Sequence, residues 1–110
     1  MKTIMKELNS LEEFEELYNN SNITIFTFSA DYCPDCHFIR PFMPKLMTKY
    51  DNFNFIYVDT RKYPEIAKEY KILGIPSFLA VKEGKELARF VSRLRKTETE
   101  IDSFLATIAW

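Results

Sequence analysis

Residues 23–29, Ile-Thr-Ile-Phe-Thr-Phe-Ser, constrain the fold most, because β-branched and aromatic side chains occupy both alternating faces of the run. A strand with one wet face alternates apolar and polar residues. This one does not, so it is expected to be covered on both sides, in the middle of a sheet.

The neighbouring segments supply the cover. Leu11, Phe14, Leu17 and Tyr18 share a helical face, and Ser10 with Glu13 forms the Ser-x-x-Glu pattern that opens a helix near residue 11. Asn19-Asn20-Ser21-Asn22 ends it. After the strand, apolar residues keep helical spacing from Phe38 to Tyr50, and the Phe38, Phe42, Met43 and Met47 stripe is expected to be core. Pro41 and Pro44 interrupt that pattern; each removes a backbone donor and clashes with the preceding turn, which predicts a kink or break near residues 40–44. Residues 53–59 form a second strand, and Tyr63-Pro64 opens a short helix carrying Ile66, Ala67 and Tyr70. Gly74-Ile75-Pro76 precedes a β-hairpin, residues 77–81 and 87–91, turning at Glu83-Gly84. Thr97 with Glu100 repeats the capping pattern before Ile101, Phe104, Leu105 and Ile108.

The order is α-β-α-β-α-β-β-α. Strands joined through helices are expected to be parallel and the hairpin pair antiparallel. The fold class is therefore α/β, a central mixed four-stranded sheet with helices on both faces. A chain of 110 residues allows one domain, residues 1–110, burying roughly two-thirds of its unfolded surface.

With 15 Lys+Arg against 16 Asp+Glu, the signs interspersed, the chain has no field that would track phosphate, so no nucleic-acid partner is expected. The longest uncharged apolar stretch lies within residues 23–30, far short of the ~20 residues that span a bilayer. Lys6 and Glu7 interrupt the amino terminus before an export signal could form, and the chain starts at Met1. A cytoplasmic monomer without membrane contact is expected.

Two cysteines cannot form a disulfide scaffold, and a bridge across Pro34 and Asp35 would constrain the unfolded chain little. Cys33 and Cys36 are therefore read as chemistry. At a strand-to-helix junction, the Cys33 sulfur meets unpaired helix N–H groups and the helix dipole, which favour the reactive thiolate. Cys33 is the expected nucleophile. Cys36, one turn on and more buried, is placed to attack a mixed disulfide and release the partner. Pro34 and Asp35 tune this reactivity: the Asp35 charge opposes the thiolate, which points to a reducing couple. Three other readings compete. The pair could be incidental. Cys33, Cys36 and His37 could bind zinc, but the fourth ligand of a structural site is not identified. Cys33-Pro34-Asp35-Cys36-His37 also matches the haem-attachment pattern, a reaction foreign to the cytoplasm and to so β-rich an arrangement. Neither metal nor cofactor is expected.

Phe28-Ser29-Ala30-Asp31-Tyr32-Cys33-Pro34-Asp35-Cys36, Pro41, Val58-Asp59, and Gly74-Ile75-Pro76-Ser77 followed by Lys82-Glu83-Gly84 together resemble the thioredoxin family. The resemblance is close over about residues 23–108 and loose over the first helix. It implies the thioredoxin fold, with a cis peptide bond before Pro76 and that proline packed against the cysteine pair. It also implies that the Ile75 backbone pairs with an extended substrate segment, a form of strand addition. Tyr32, in the place of the usual Trp, would belong to the apolar docking surface. The implied activity is thiol–disulfide exchange that reduces protein disulfides, with an oxidised Cys33–Cys36 form recycled by a separate thioredoxin reductase. The rival is a thioredoxin-fold accessory or interaction module with little redox turnover.

Cys-Pro-Asp-Cys is similar to the motif of small thioredoxin-related proteins rather than to thioredoxin's Cys-Gly-Pro-Cys. The family's buried Asp, six residues before the first Cys and thought to help deprotonate the second, is Thr27 here, and its Lys partner is Phe55. Water, Asp35 or His37 is left to take that proton. Ser92 replaces a Gly beside the substrate groove, followed by Arg93, Arg95 and Lys96, which read as a solvated loop or as a selector of acidic partners. His37 reads as an exposed first-turn residue.

Overall fold

The computed structural model describes residues 4–109, so the Met1 start invoked above lies outside the described residues. Five strands form one sheet in the order β1-β3-β2-β4-β5. They are β1 (Lys6–Glu7), β2 (Thr24–Ser29), β3 (Asn54–Asp59), β4 (Ser77–Lys82) and β5 (Lys85–Phe90), and the helices are α1 (Leu11–Tyr18), α2 (Pro34–Ile39), α3 (Met43–Lys49), α4 (Pro64–Glu69) and α5 (Glu98–Ile108).

The doubly apolar run is central, as its composition requires: every residue of β2 is buried. On one face Ile25 packs with Phe55, Tyr57 and Phe78 of its neighbours against Ile39, Met43 and Leu46 below and Ile101, Leu105 and Ile108 of α5. On the other, Phe26 and Phe28 meet Phe14 of α1, Val58, and Ile66 of α4. Each fully buried side chain of this size contributes roughly 1.5–3 kcal/mol, so the two faces of one strand organise both cores.

Three expectations are revised and one is met. The sheet has a fifth strand, β1, whose two residues pair in parallel with Ile56 and Tyr57. Two charged residues carry no periodic signal, which is why the sequence reads as four strands. The break expected near residues 40–44 is present: α2 and α3 are separate helices parted over residues 40–42, with Pro41 in the break and Pro44 in the first turn of α3, where a missing N–H is tolerated. Phe38 is not core but 42% exposed, on the outer side of α2. Finally, β4 does not run parallel to the strand before α4. It lies on the far side of β2 and antiparallel to it, Phe28 opposite Ser77.

Helix length explains this last revision. Six residues of α4 rise about 9 Å, whereas a six-residue strand spans about 20 Å. The helix does not carry the chain back to the starting edge of β3, so β4 is entered from the end at which β2 finishes. That return brings the segment before Ser77 beside the cysteines.

The hairpin turns through two residues in the left-handed region, Glu83 (φ 52°) and Gly84 (φ 80°), as tight hairpins favour. Thr97 and Glu100 form the reciprocal capping box of α5. At α1, Ser10 Oγ accepts the Glu13 N–H, but the Glu13 carboxylate reaches back one residue further, to the Asn9 N–H. Among the described residues, no helix is long and apolar enough to cross a membrane.

Candidate active site

The cysteine pair sits where β2 gives way to α2. Ala30 and the exposed Asp31 and Tyr32 turn the chain, the Cys33 N–H donating to the Ala30 carbonyl at 3.3 Å. Pro34 opens α2 with Cys33 as its N-cap, and Cys33 Sγ accepts the Cys36 N–H at 3.2 Å. A sulfur thus fills the place that a Ser or Asp oxygen commonly takes, where helix N–H groups and the dipole stabilise negative charge. The Cys33 thiol in turn donates to the Ile75 carbonyl at 3.7 Å, and the Ile75–Pro76 peptide is cis. The loop before β4 and the first turn of α2 meet at this sulfur.

Both thiols are free and buried, Cys33 at 6% and Cys36 at 2% exposure. Burial pushes the Cys36 thiol up to about 12; the Cys33 sulfur adds to the rise, while the Ser29 hydroxyl and the Ala30 backbone pull against it. Cys36 is therefore a protonated thiol at neutral pH. Ser29 is a contact that the sequence did not flag, although its place at the end of a buried strand, four residues before Cys33, is the available signal.

Asp35 does not stand alone beside Cys33. Its Oδ1 accepts Arg95 Nε at 2.9 Å, so the charge expected to oppose a thiolate is partly compensated. The Arg95 guanidinium also lies 4.5 Å from the centre of the exposed Phe38 ring. Tyr32 is 62% exposed beneath the Arg61 guanidinium, 5.3 Å from its ring centre. His37 is exposed, its Nε2 2.6 Å from the Asp31 carbonyl oxygen. Among the described residues, no three His, Cys, Asp or Glu side chains are grouped to hold a metal ion.

Thr27 is fully buried, and its hydroxyl, like that of Tyr57 beside it in register on β3, has no hydrogen-bond partner among the described residues. Phe55 lies in the core. After β5 the loop is solvated at Arg93, Leu94 and Arg95, which are exposed, but not at Lys96. Lys96 is 1% exposed, its Nζ donating to the Ser92 carbonyl at 3.1 Å and the Leu94 carbonyl at 3.2 Å, and lying 5.3 Å from the centre of the Phe90 ring. Arg93 Nε donates to the Leu73 carbonyl at 3.0 Å. Lys96 is the buried charge that sequence reasoning missed. Residue type gave no signal for it: the place before an N-cap such as Thr97 suits an apolar side chain packed on the helix, and a lysine there reads as solvated.

The sequence model of the family described as Thioredoxin matches residues 5–107. Thioredoxin H2 of Arabidopsis thaliana is 31% identical over 87 residues, which cover 79% of this chain and 65% of that one. Mitochondrial thioredoxin-2 of Schizosaccharomyces pombe is 31% identical over 98 residues, covering 86% of this chain and 73% of its own. Among solved structures, thioredoxin from Trypanosoma brucei brucei superposes with a TM-score of 0.85 over 96% of this chain and 90% of that one, at 23% identity, a likeness of fold.

Proposed function

The chain belongs to the thioredoxin family, and from that premise we propose that it is a protein-disulfide reductase with Cys33 as attacking and Cys36 as resolving sulfur. One observation carries this most directly: Cys33 Sγ is at once the N-cap acceptor of α2 and the neighbour of the Ile75 carbonyl. The first contact favours a thiolate. The second puts the sulfur beside a backbone edge on which an extended disulfide-bearing segment can lie.

The cycle has two exchanges. The Cys33 thiolate attacks one sulfur of the substrate disulfide, forming a Cys33–substrate bond and expelling the other sulfur as a thiolate. Cys36 then gives up its proton, which the expelled thiolate can accept, and attacks Cys33 Sγ. A Cys33–Cys36 disulfide forms, the second substrate sulfur leaves, and two electrons have passed from the dithiol to the substrate. In the mixed disulfide Cys33 carries no charge, so its electrostatic push on Cys36 disappears while burial, the largest cause, remains. Pro34 and Asp35 tune the first exchange, and Tyr32 and Ile75–Pro76 receive the substrate. A separate thioredoxin reductase returns the disulfide to the dithiol. The same proposal takes residues 1–110 as one domain working as a cytoplasmic monomer.

Reduction of insulin disulfides with a small dithiol as electron donor tests this. Turnover is expected in the unaltered protein, with a loss of at least about a hundredfold in Cys33→Ser. Equal rates with and without Cys33 would instead make the chain an accessory module.

A further inference from the structure

Cys36 must ionise to resolve the mixed disulfide, yet burial opposes its charge. The groups around it offer little help. Asp35 is an anion already paired with Arg95. The Tyr57 phenol is held protonated well above its usual range, chiefly by burial and then by Asp59, Asp31, Cys36 and Glu7. His37 points to the Asp31 carbonyl. Ser29 can donate one hydrogen bond but brings no charge.

One cation is buried. Among the described residues, Lys96 is the sole charged side chain in the fully buried set. Its ammonium is fixed in place by the Ser92 and Leu94 carbonyls, and the adjacent Arg95 ties this loop to Asp35, the residue next to Cys36. Such a charge keeps its reach because little water screens it.

We propose that the buried Lys96 ammonium is the positive charge that lets Cys36 ionise as it attacks the mixed disulfide. This rests on the reductase reading and assigns one step of it to a residue outside the cysteine motif. Lys96 touches neither reacting sulfur through any hydrogen bond seen here; it is a positioning residue for charge. Its own surroundings fit the role. Burial lowers its affinity for a proton, while Asp35, Cys36, Glu100 and Cys33 all act to keep it charged. Arg95, alongside, is taken up by Asp35 and Phe38.

The two exchanges can be timed separately with dithiobisnitrobenzoate, which releases one coloured thiolate when Cys33 attacks and a second when Cys36 resolves. Lys96→Gln keeps a donor for the loop carbonyls and removes the charge. At pH 7 it should slow the second release about tenfold, leave the first within about twofold, and move the pH profile of the second upward by about one unit. Lys96→Arg should restore the second release. An unchanged second phase in Lys96→Gln, or an equal slowing of both phases, overturns the assignment. Thermal melting of each variant verifies folding, and the unaltered protein offers an independent check. Its second phase should climb less steeply once Lys96 loses its proton, below the ordinary lysine value of 10.5. An unbroken tenfold rise per pH unit through that value also overturns it. Absence of any first release from the unaltered protein would sink the reductase reading itself.

Discussion

Two loops flank the cysteine pair, residues 73–77 and 92–97, and they are held by different forces. The first is held by backbone. Gly74 packs so closely on the second loop that a Cβ there would lie 2.1 Å from the Ser92 carbonyl oxygen, Ser77 Oγ donates to the Gly74 carbonyl, and the Ile75 carbonyl faces Cys33. The second is held by charge: Arg93 on the Leu73 carbonyl, Arg95 on Asp35, Lys96 on the carbonyls of its own turn. Backbone contact fixes shape and is intolerant of change. Side-chain charge leaves the shape alone and sets the electrostatics of the sulfurs, so reactivity can vary on an unchanged scaffold.

Substitutions at the two loops should therefore differ in kind. The largest effect is expected for Gly74→Ala. The new Cβ would meet three backbone atoms of the second loop, at 2.1, 2.6 and 2.8 Å, none of which can swing aside as a side chain can. Overpacking of this sort costs about 3 kcal/mol, measurable by urea denaturation. A loss under about 1 kcal/mol would show that the loops part easily and erase the contrast.

Charge changes in the second loop should do the reverse, sparing stability and altering rate. The Arg95–Asp35 pair is partly exposed, 55% and 29% at the two side chains, so breaking it should cost no more than about 0.5 kcal/mol. Iodoacetamide alkylation of Cys33 at pH 7 should nevertheless respond with opposite signs. Arg95→Gln, which strips Asp35 of its partner, should slow it about twofold; Asp35→Asn, which removes the anion, should speed it about twofold, the kinetic equivalent of a half-kilocalorie interaction. Changes of the same sign in both variants would break the electrostatic half of the comparison.

The same division separates what the sequence made legible from what it did not. Features set by backbone and burial can be read from residue type: the central β2 from its unalternating run, the break between α2 and α3 from Pro41 and Pro44, the hairpin from Glu83-Gly84, the sulfur at a helix start from Cys33-Pro34. Features set by side chains far apart in sequence cannot. Arg95 reaches Asp35 at a separation of 60 positions in chain order, and Lys96 within Arg-Leu-Arg-Lys looks like one more solvated base. Phe38 satisfies helical spacing but faces outward under Arg95, because spacing fixes which residues share a face and not which face meets the sheet. The antiparallel entry of β4 follows from the shortness of α4, a length that apolar spacing over residues 63–70 outlines only loosely.

Division of labour between the two sulfurs is the centre of this account, and trapping the mixed disulfide tests it most directly. Protein variants carrying Cys36→Ser or Cys33→Ser would be mixed with a disulfide-bonded protein and resolved by mass spectrometry after acid quenching. Cys36→Ser should accumulate a stable adduct on Cys33, and Cys33→Ser should accumulate none, since Cys36 is buried and protonated at neutral pH. An adduct on Cys36 in Cys33→Ser that forms as fast as the Cys33 adduct would contradict the assignment.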